Sequence, residues 1–189
     1  HGWELRVEGA LQGVELRNLA GSHVSHEISG IGSLRLKELV CRAGRVRSMI
    51  GDLRARDGRV SRELIASCVR ELGFRTSIPI SGPRPLPYSE LAVGFHLDGQ
   101  GLALFGQCSG EPSGALLLGN YIERVEPPDP SRGLISPAKA VVAIATLPDE
   151  DPYTAWRRAY PLLRRMPEMP TASATIAAPA TRPGGVYQR

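Results

Sequence analysis

Long apolar stretches are missing from this sequence of 189 residues. A membrane-spanning helix needs about 20 consecutive apolar residues, and the best candidate, residues 138–147, is far too short. We therefore expect no membrane-spanning segment. The phosphate-binding loop, the dinucleotide-binding fingerprint and the zinc-protease motif are missing as well. Because the carboxylates are scattered along the chain, no acid–base pair stands out, and we expect a protein that is not an enzyme.

Cysteine and lysine are both scarce. The three cysteines, Cys41, Cys68 and Cys108, lie far apart and form no C-x-x-C pair. This spacing argues against a disulfide framework or a zinc ribbon and predicts small, buried apolar side chains. The net charge is +4, and nearly all of the positive charge is arginine, since the lysines are Lys37 and Lys139. Guanidinium groups suit carboxylate and phosphate partners, although a GC-rich genome would produce the same bias.

The sequence starts with His1 instead of methionine and shows no apolar signal segment. This start suggests a processed product or a trimmed fragment. We expect an intracellular protein, with an organelle as a location that N-terminal processing would allow.

Residues 1–32 predict a small β-hairpin. Apolar and charged residues alternate in residues 3–8 and again in residues 14–17, on either side of Leu11-Gln12-Gly13. Period-two alternation interrupted by a glycine is typical of two short strands with one buried face.

From Ser33 onward the apolar residues follow helical spacing. The predicted stripe consists of Leu36, Leu39, Val40, Val46, Met49 and Ile50. Ser33 can cap its first turn. A second helix is predicted from Ser61 to Leu72, and it ends at Gly73, which suits a left-handed C-terminal position.

Two glycine-containing loops adjoin these segments. Gly58, Val60 and Leu72-Gly73 stand where an EF-hand has its central glycine, its pairing residue and its helix end. Residues 96–107 align without a gap to a second twelve-residue calcium loop, with Gly101 at the sharp turn. Residues 34–108 therefore resemble a calmodulin-like EF-hand pair. The resemblance implies a mainly α (α+β) fold, with an EF-hand-like module at residues 33–125.

Both loops depart from the calcium-binding pattern. The vestigial ligand positions are His96, Asp98, Gln100 and Gln107 in the second loop, and Asp57 and Glu63 in the first. Calcium needs about six or seven oxygen ligands, including a closing bidentate carboxylate. The second loop keeps a single carboxylate, and the first carries Arg54 and Arg56 where acids belong. The resemblance thus implies that calcium binding has been lost, and we expect no metal and no cofactor.

A proline-rich break at residues 126–130 separates the remaining segments. Before it, residues 115–122 are short and apolar, and either helix or strand fits them. Acidic residues before Pro152 predict a helix in the segment 126–166, which Pro161 kinks or ends. Residues 167–189 are rich in proline and alanine and predict an extended arm. The predicted partner-binding residues on the helix are Trp156, Arg157, Tyr160, Arg164 and Arg165.

Two other groups of residues could form a catalytic site or a metal site, but each has a simpler interpretation. Gly106 to Gly110 has the form of a nucleophile elbow around Cys108, but no histidine follows His96 in the chain to act as its base. The two imidazoles of His23 and His26 lie near the acid Glu27 and could bind a metal ion, yet no further ligand of suitable spacing completes a site. We interpret the first as a loop with a buried cysteine and the second as a surface loop.

The sequence as a whole predicts a structural or adaptor subunit of a larger protein assembly. Its helical faces and extended arm would bind protein partners. The alternative is a basic, RNA-associated subunit of a ribonucleoprotein such as an organellar ribosome, in which arginine side chains contact phosphates.

Overall fold

Strands, and not helices, form most of the structure. The computed structural model describes residues 3–20, 24–77, 82, 84–108, 114–119, 122–129, 131, 133–145, 147 and 150–167. In this part of the chain an antiparallel sheet of eight strands is accompanied by short helices. The mainly α, EF-hand-like fold expected from the sequence is therefore wrong. The predicted arm at residues 167–189 lies outside the described residues apart from Pro167, and the division into four segments stays a prediction.

Strands predominate up to residue 126, where two short helices also occur, and two longer helices follow from residue 137. The strands are β1 (Glu4–Glu15), β2 (Ile31–Arg42), β3 (Arg45–Val60), β4 (Arg75–Thr76), β5 (Leu86–Leu97), β6 (Leu102–Gly106), β7 (Leu117–Gly119) and β8 (Ile122–Glu126). The helices are α1 (Leu16–Ala20), α2 (Arg62–Ser67), α3 (Pro137–Ala145) and α4 (Pro152–Leu163), and a π-helical turn, Cys68–Leu72, continues α2. The strand order is β1-β2-β3-β5-β7-β8-β4, with β6 also paired to β5.

The sheet has an apolar face and a polar face. Leu11, Leu34, Leu53 and Val93 are paired across β1, β2, β3 and β5, so they form a row on the apolar face. The next row, on the opposite face, is Ala10, Arg35, Asp52 and Gly94. Since successive side chains of a strand point to opposite faces, this alternation of apolar and polar rows defines the two surfaces.

Bulges explain why β2 and β3 resemble a helix in sequence. Between Leu36 and Leu39, β2 contains one residue more than both of its neighbours, and β3 has an extra residue between Val46 and Ser48. An extra residue turns a spacing of two into a spacing of three while the apolar side chains stay on the same face. The predicted helix at residues 33–50 is thus two bulged strands.

The N-terminal hairpin is replaced by the single strand β1. Leu11-Gln12-Gly13, expected as the turn, forms a bulge in which β1 has one residue more than β2. Gly13 has a φ of +64°, a backbone conformation that glycine adopts readily. Both halves of β1 pair with β2, so the predicted alternation is present but the predicted turn is not.

The second predicted helix is confirmed. The Ser61 side chain accepts a hydrogen bond from the Leu64 backbone nitrogen at 3.2 Å and caps α2. The π-helical turn ends at Gly73, whose φ of 76° is left-handed. Short as it is, this segment is stabilised by packing, because Ile65 belongs to the main core cluster.

The hydrophobic core lies between the helices and the β3–β8 end of the sheet. Its main cluster consists of Leu16, Ala55, Val60, Ile65, Leu86, Tyr88, Leu117 and Val125. A second cluster joins α3 to the π-helical turn through Ala143, Cys68 and Leu72, and Leu102 and Leu104 of β6 pack against it. The helices therefore cover one end of the apolar face.

The C-terminal helix α4 is attached to α3 by a hydrogen bond from Arg158 and by a small apolar cluster. Asp151 caps its first turn and Pro152 occupies the start, as the sequence predicts. Arg158 contacts Glu150 at 2.8 Å and donates to the Ala145 backbone oxygen at 3.0 Å. Pro161 lies inside the helix, which ends two residues later. Among the described residues, no helix combines the length and apolar character needed to cross a membrane.

Candidate functional site

The outer edge of β1 is the most distinctive open surface of the molecule. β1 has 12 residues and stands at one end of the strand order. Within the described part of the chain, β2 is its sole strand neighbour. Its outward backbone amides and carbonyls form a template that another strand can extend.

Apolar side chains accompany this edge. Trp3 is 60% exposed, Leu5 49% and Leu11 51%, although all three belong to the apolar side of the strand. Ile31, the residue of β2 paired with Glu15, is 68% exposed at the same end of the sheet but on its opposite face. Side chains of this size are usually buried, and several together along one edge make it a candidate contact surface.

The opposite side of β1 carries charges. Glu4, Arg6 and Glu8 alternate with the apolar residues, and Arg6 Nε lies 3.3 Å from Glu4 Oε1. Both side chains of this pair are exposed, so the contact contributes little to stability. The charges are thus available for a partner strand.

Apart from the charged side chains of Glu4, Arg6 and Glu8, residues 4–11 of β1 lack the features that usually protect a sheet edge. They contain no proline, and the irregularity in their pairing with β2 comes from an extra residue in β2. The bulge of β1 itself comes later, at Gln12-Gly13. Proteins that avoid edge-to-edge pairing commonly use bulges, prolines or short edge strands. This part of β1 is therefore regular and open along its length.

A polar groove lies on the other face of the sheet. Its cavity of about 520 Å³ is lined by Ala10, Gln12, Ser33, Leu34, Arg35, Lys37, Asp52, Arg54 and Gln107. Asp52 lies 4.0 Å from Lys37 and 3.8 Å from Arg54, and Arg54 also donates to Gln107 Oε1 at 3.3 Å. The side chain of Arg35 makes no hydrogen bond or ion pair among the described residues. Three cations around one carboxylate make the groove a candidate surface for anions.

The positions of the second expected calcium loop lie along a hairpin. Asp98, Gly99, Gln100 and Gly101 connect β5 to β6, where Leu97 pairs with Leu102. Asp98 Oδ1 accepts hydrogen bonds from the backbone nitrogens of Gln100, at 2.7 Å, and Gly101, at 3.2 Å. The carboxylate therefore stabilises its own turn, a role typical of aspartate.

His96 and Gln107, the first and last positions of that expected loop, lie outside the turn. His96 belongs to β5, and its Nε2 lies 3.7 Å from Asp98 Oδ2. Gln107 follows β6 and lies in the polar groove, where its side-chain amide crosses over Gly94. These residues do not surround a common point, as an EF-hand loop would require.

The first expected loop is not a loop either. Asp57 and Gly58 belong to β3, where Asp57 has a φ of 51°. Glu63 lies in the first turn of α2. Gly58 passes directly under the Tyr88 ring, and a Cβ there would collide with the Tyr88 hydroxyl. The glycine that resembled a calcium-loop glycine is thus needed for close packing.

Two cysteines are buried, as the sequence predicts. Burial raises the pKa of Cys68 to about 12. Burial, together with the nearby Glu90 carboxylate, raises the pKa of Cys108 to about 11, and its Sγ lies 3.7 Å from the Glu90 backbone oxygen. Both thiols are therefore protonated at neutral pH, which makes them poor nucleophiles. Cys41 is half-buried.

The predicted histidine cluster is only partly described. His23 lies outside the described residues, whereas His26 is buried and its Nε2 lies 3.2 Å from the Ala143 backbone oxygen. His26 therefore anchors its segment to α3. Among the described residues, no group of three or more His, Cys, Asp or Glu side chains is arranged to hold a metal ion.

The predicted partner-binding residues of α4 lie on or next to one helix. Tyr160 is exposed, and Arg157 lies over the ring of Tyr153, 6.0 Å from its centroid. Arg164 and Arg165 are exposed at the helix end, and the Arg165 backbone oxygen accepts a hydrogen bond from Val46. Trp156 also belongs to α4. Their role in partner binding stays a prediction.

Sequence reasoning missed the edge of β1 as a site. The alternation of residues 3–8 was visible, but an edge position depends on which strands pair, and that follows from the whole topology. The sequence pattern places Trp3 and Leu5 on a buried face and Leu11 in a turn. No sequence signal separated a covered face from an uncovered one.

Comparison with known proteins finds no matching family, no matching curated protein and no matching solved structure. The function therefore has to be inferred from the described surfaces themselves.

Proposed function

We propose that this chain is a non-catalytic subunit of a larger protein assembly and that it binds a protein partner through the outer edge of β1. The partner contributes a β-strand that extends the sheet. This mode of recognition gains affinity from backbone hydrogen bonds and specificity from alternate side chains.

The exposed apolar side of β1 carries this proposal. Leu5 and Leu11 are about half exposed on a strand that is otherwise well paired with β2. Burial of apolar surface contributes roughly 25 cal/mol per Å². Covering these side chains together with Trp3 would therefore stabilise a complex in addition to the backbone hydrogen bonds.

The polar groove supports a second candidate function, association with RNA. Arg35, Lys37 and Arg54 offer donors that suit phosphate oxygens. Asp52 already pairs with two of these three cations, and among the described residues no aromatic side chain lines the groove for base stacking. The groove therefore supports RNA binding less strongly than the β1 edge supports protein binding.

Purification from the native source under mild conditions tests the proposal. The wild-type chain should co-purify with stoichiometric protein partners, and the double variant Leu5→Lys, Leu11→Lys should lose them because two charges replace the apolar contact. Tyr160→Lys is the control for a change elsewhere on the surface, since it places one positive charge on an exposed position of α4. Melting temperatures of both variants should remain close to that of the wild type.

Each result has a defined meaning. Loss of partners in the β1 variant alone supports the proposal. Loss in the Tyr160 variant alone would favour the helix, and retention in both would contradict binding through β1. Release of the partners by ribonuclease would favour the second candidate.

A further inference from the structure

We propose that a second copy of this chain can occupy the β1 edge, in an antiparallel pairing of residues 3–11 centred on Val7. This inference rests on the proposed use of β1 as a binding edge and assigns that edge to a second copy when no other subunit covers it. The result is a symmetric dimer in which the two sheets form one continuous sheet.

Symmetry limits the registers that are available. A two-fold axis perpendicular to the sheet places the apolar faces of the two copies on the same side of the combined sheet. Each symmetric register therefore places one residue of β1 opposite itself. With Val7 at the centre, the cross-strand pairs are Trp3 with Leu11, Glu4 with Ala10, Leu5 with Gly9, Arg6 with Glu8, and Val7 with Val7.

The charges of β1 select the register centred on Val7. There Arg6 of each copy lies opposite Glu8 of the other, which gives two attractive pairs. Centring the pairing on Arg6 or on Glu8 would place like charges directly opposite each other, which is unfavourable. Centring it on Leu5 would also place Glu4 opposite Arg6, but among the described residues it would pair only 3–7, a shorter segment. The segment Arg6-Val7-Glu8 is thus self-complementary when the pairing is centred on Val7.

The apolar side agrees with the same register. Trp3 and Leu11, exposed by 60% and 51%, would face each other at both ends of the pairing. Gly9 opposite Leu5 leaves room for the larger side chain. Each exposed apolar residue of β1 therefore gains a cross-strand neighbour, and cross-strand pairs are the units that stabilise a sheet.

The end of the pairing coincides with a change in the backbone. Beyond Leu11 the bulge at Gln12-Gly13 adds a residue and bends the strand. A regular ladder cannot continue through such a bend. The regular segment of β1 is therefore about as long as the predicted pairing.

Charge exchange in the full-length chain tests the inference. Sedimentation velocity over a wide concentration range should show a reversible monomer–dimer equilibrium for the wild type. Arg6→Glu should raise the dimer Kd about 10- to 100-fold, since both attractive pairs become repulsive, and Glu8→Arg should do the same. The double variant Arg6→Glu, Glu8→Arg recreates both pairs and should return the Kd to within about threefold of the wild type.

The matched control is Glu15→Arg. It makes the same charge change on the same strand outside the paired residues, and it should leave the Kd within about threefold of the wild type. A wild type that stays monomeric throughout, or a double variant that fails to recover, would overturn the dimer. Loss of native partners by the Leu5→Lys, Leu11→Lys variant would in that case still support the proposed function, because it concerns a different protein on the same edge.

Discussion

The two ends of the sheet have the same alternating pattern but different surroundings. At the β5–β8 end, Leu86 and Val125 are buried in the main core cluster beside α2. At the β1 end, Leu5 and Leu11 occupy the apolar face and remain about half exposed. The comparison shows that alternation reports which side chains share a face, whereas coverage of that face depends on where the helices pack.

This difference suggests a division of roles. The helix-covered end supplies the apolar burial that stabilises the fold, because apolar side chains there are removed from water within one chain. The open end leaves comparable side chains available to a second molecule. We therefore expect the same substitution to affect stability at one end and assembly at the other.

The largest contrast is expected between Leu86→Ala and Leu5→Ala. Leu86 is 4% exposed and Leu5 is 49% exposed, and both lie on strands of the same sheet. Leu86→Ala should lower the free energy of unfolding by about 2–5 kcal/mol, because it removes buried atoms and leaves a cavity. Leu5→Ala should change that of the monomer by less than about 1 kcal/mol.

Urea denaturation at low protein concentration measures both values. Low concentration keeps the Leu5 variant free of any contribution from assembly. Equal losses at the two positions would show that the β1 end contributes to the core as much as the covered end does.

An effect of similar size, spread over several pH units, is expected from alkaline pH at the covered end. Burial raises the pKa of Cys68 from 9.0 to about 12, and burial with a contribution from Asp57 raises that of Tyr88 from 10.0 to about 12. Above pH 9 the unfolded chain loses protons that the folded chain retains, so stability falls as the pH rises from 9 towards 12. Cys68 alone accounts for at most about 4 kcal/mol, at about 1.4 kcal/mol per pKa unit.

Denaturation at a series of alkaline pH values checks this dependence. Cys68→Ala should show a shallower decline than the wild type over the same range, because one of the two titrating groups is gone. Tyr88→Phe should also reduce the slope, although it removes the hydrogen bond from the Tyr88 hydroxyl to the Ser29 backbone oxygen. Parallel curves for the wild type and both variants would contradict the assignment.

Local signals in the sequence predict some parts of this fold well. Ser61 and Gly73 mark the ends of the helical segment that includes α2, and Asp151-Pro152 marks the start of α4. Each of these signals depends on backbone groups only a few residues away, as capping and proline effects do. Such signals do not require knowledge of the tertiary structure.

The sheet was missed because its irregularities imitate a helix. The extra residues in β2 and β3 shift Leu39 and Val46 into helical spacing with their neighbours, although the strands stay paired. The Asp-Gly steps at Asp57 and Asp98 are equally ambiguous, since one belongs to a strand and the other to a hairpin turn. Pairing partners and bulges are properties of the complete sheet, so periodicity alone could not identify them.

The candidate site could not be predicted for a related reason. Edge position is a consequence of strand order, and the sequence of β1 reads equally well as a central strand with one buried face. The helix α4, which the sequence favours as a binding surface, is held against α3 by the hydrogen bond from Arg158 to the Ala145 backbone oxygen, and its role in partner binding stays a prediction.

Hydrogen exchange of the β1 backbone amides at low and high protein concentration tests the central claim most directly. Amides on the outer edge of residues 4–11 should exchange quickly in dilute protein and slow down as the concentration rises, while amides of β3 and β5 keep the same protection. Exchange in β1 that is independent of concentration and already as slow as in β3 would show that its edge is covered within a single chain, and would contradict the account.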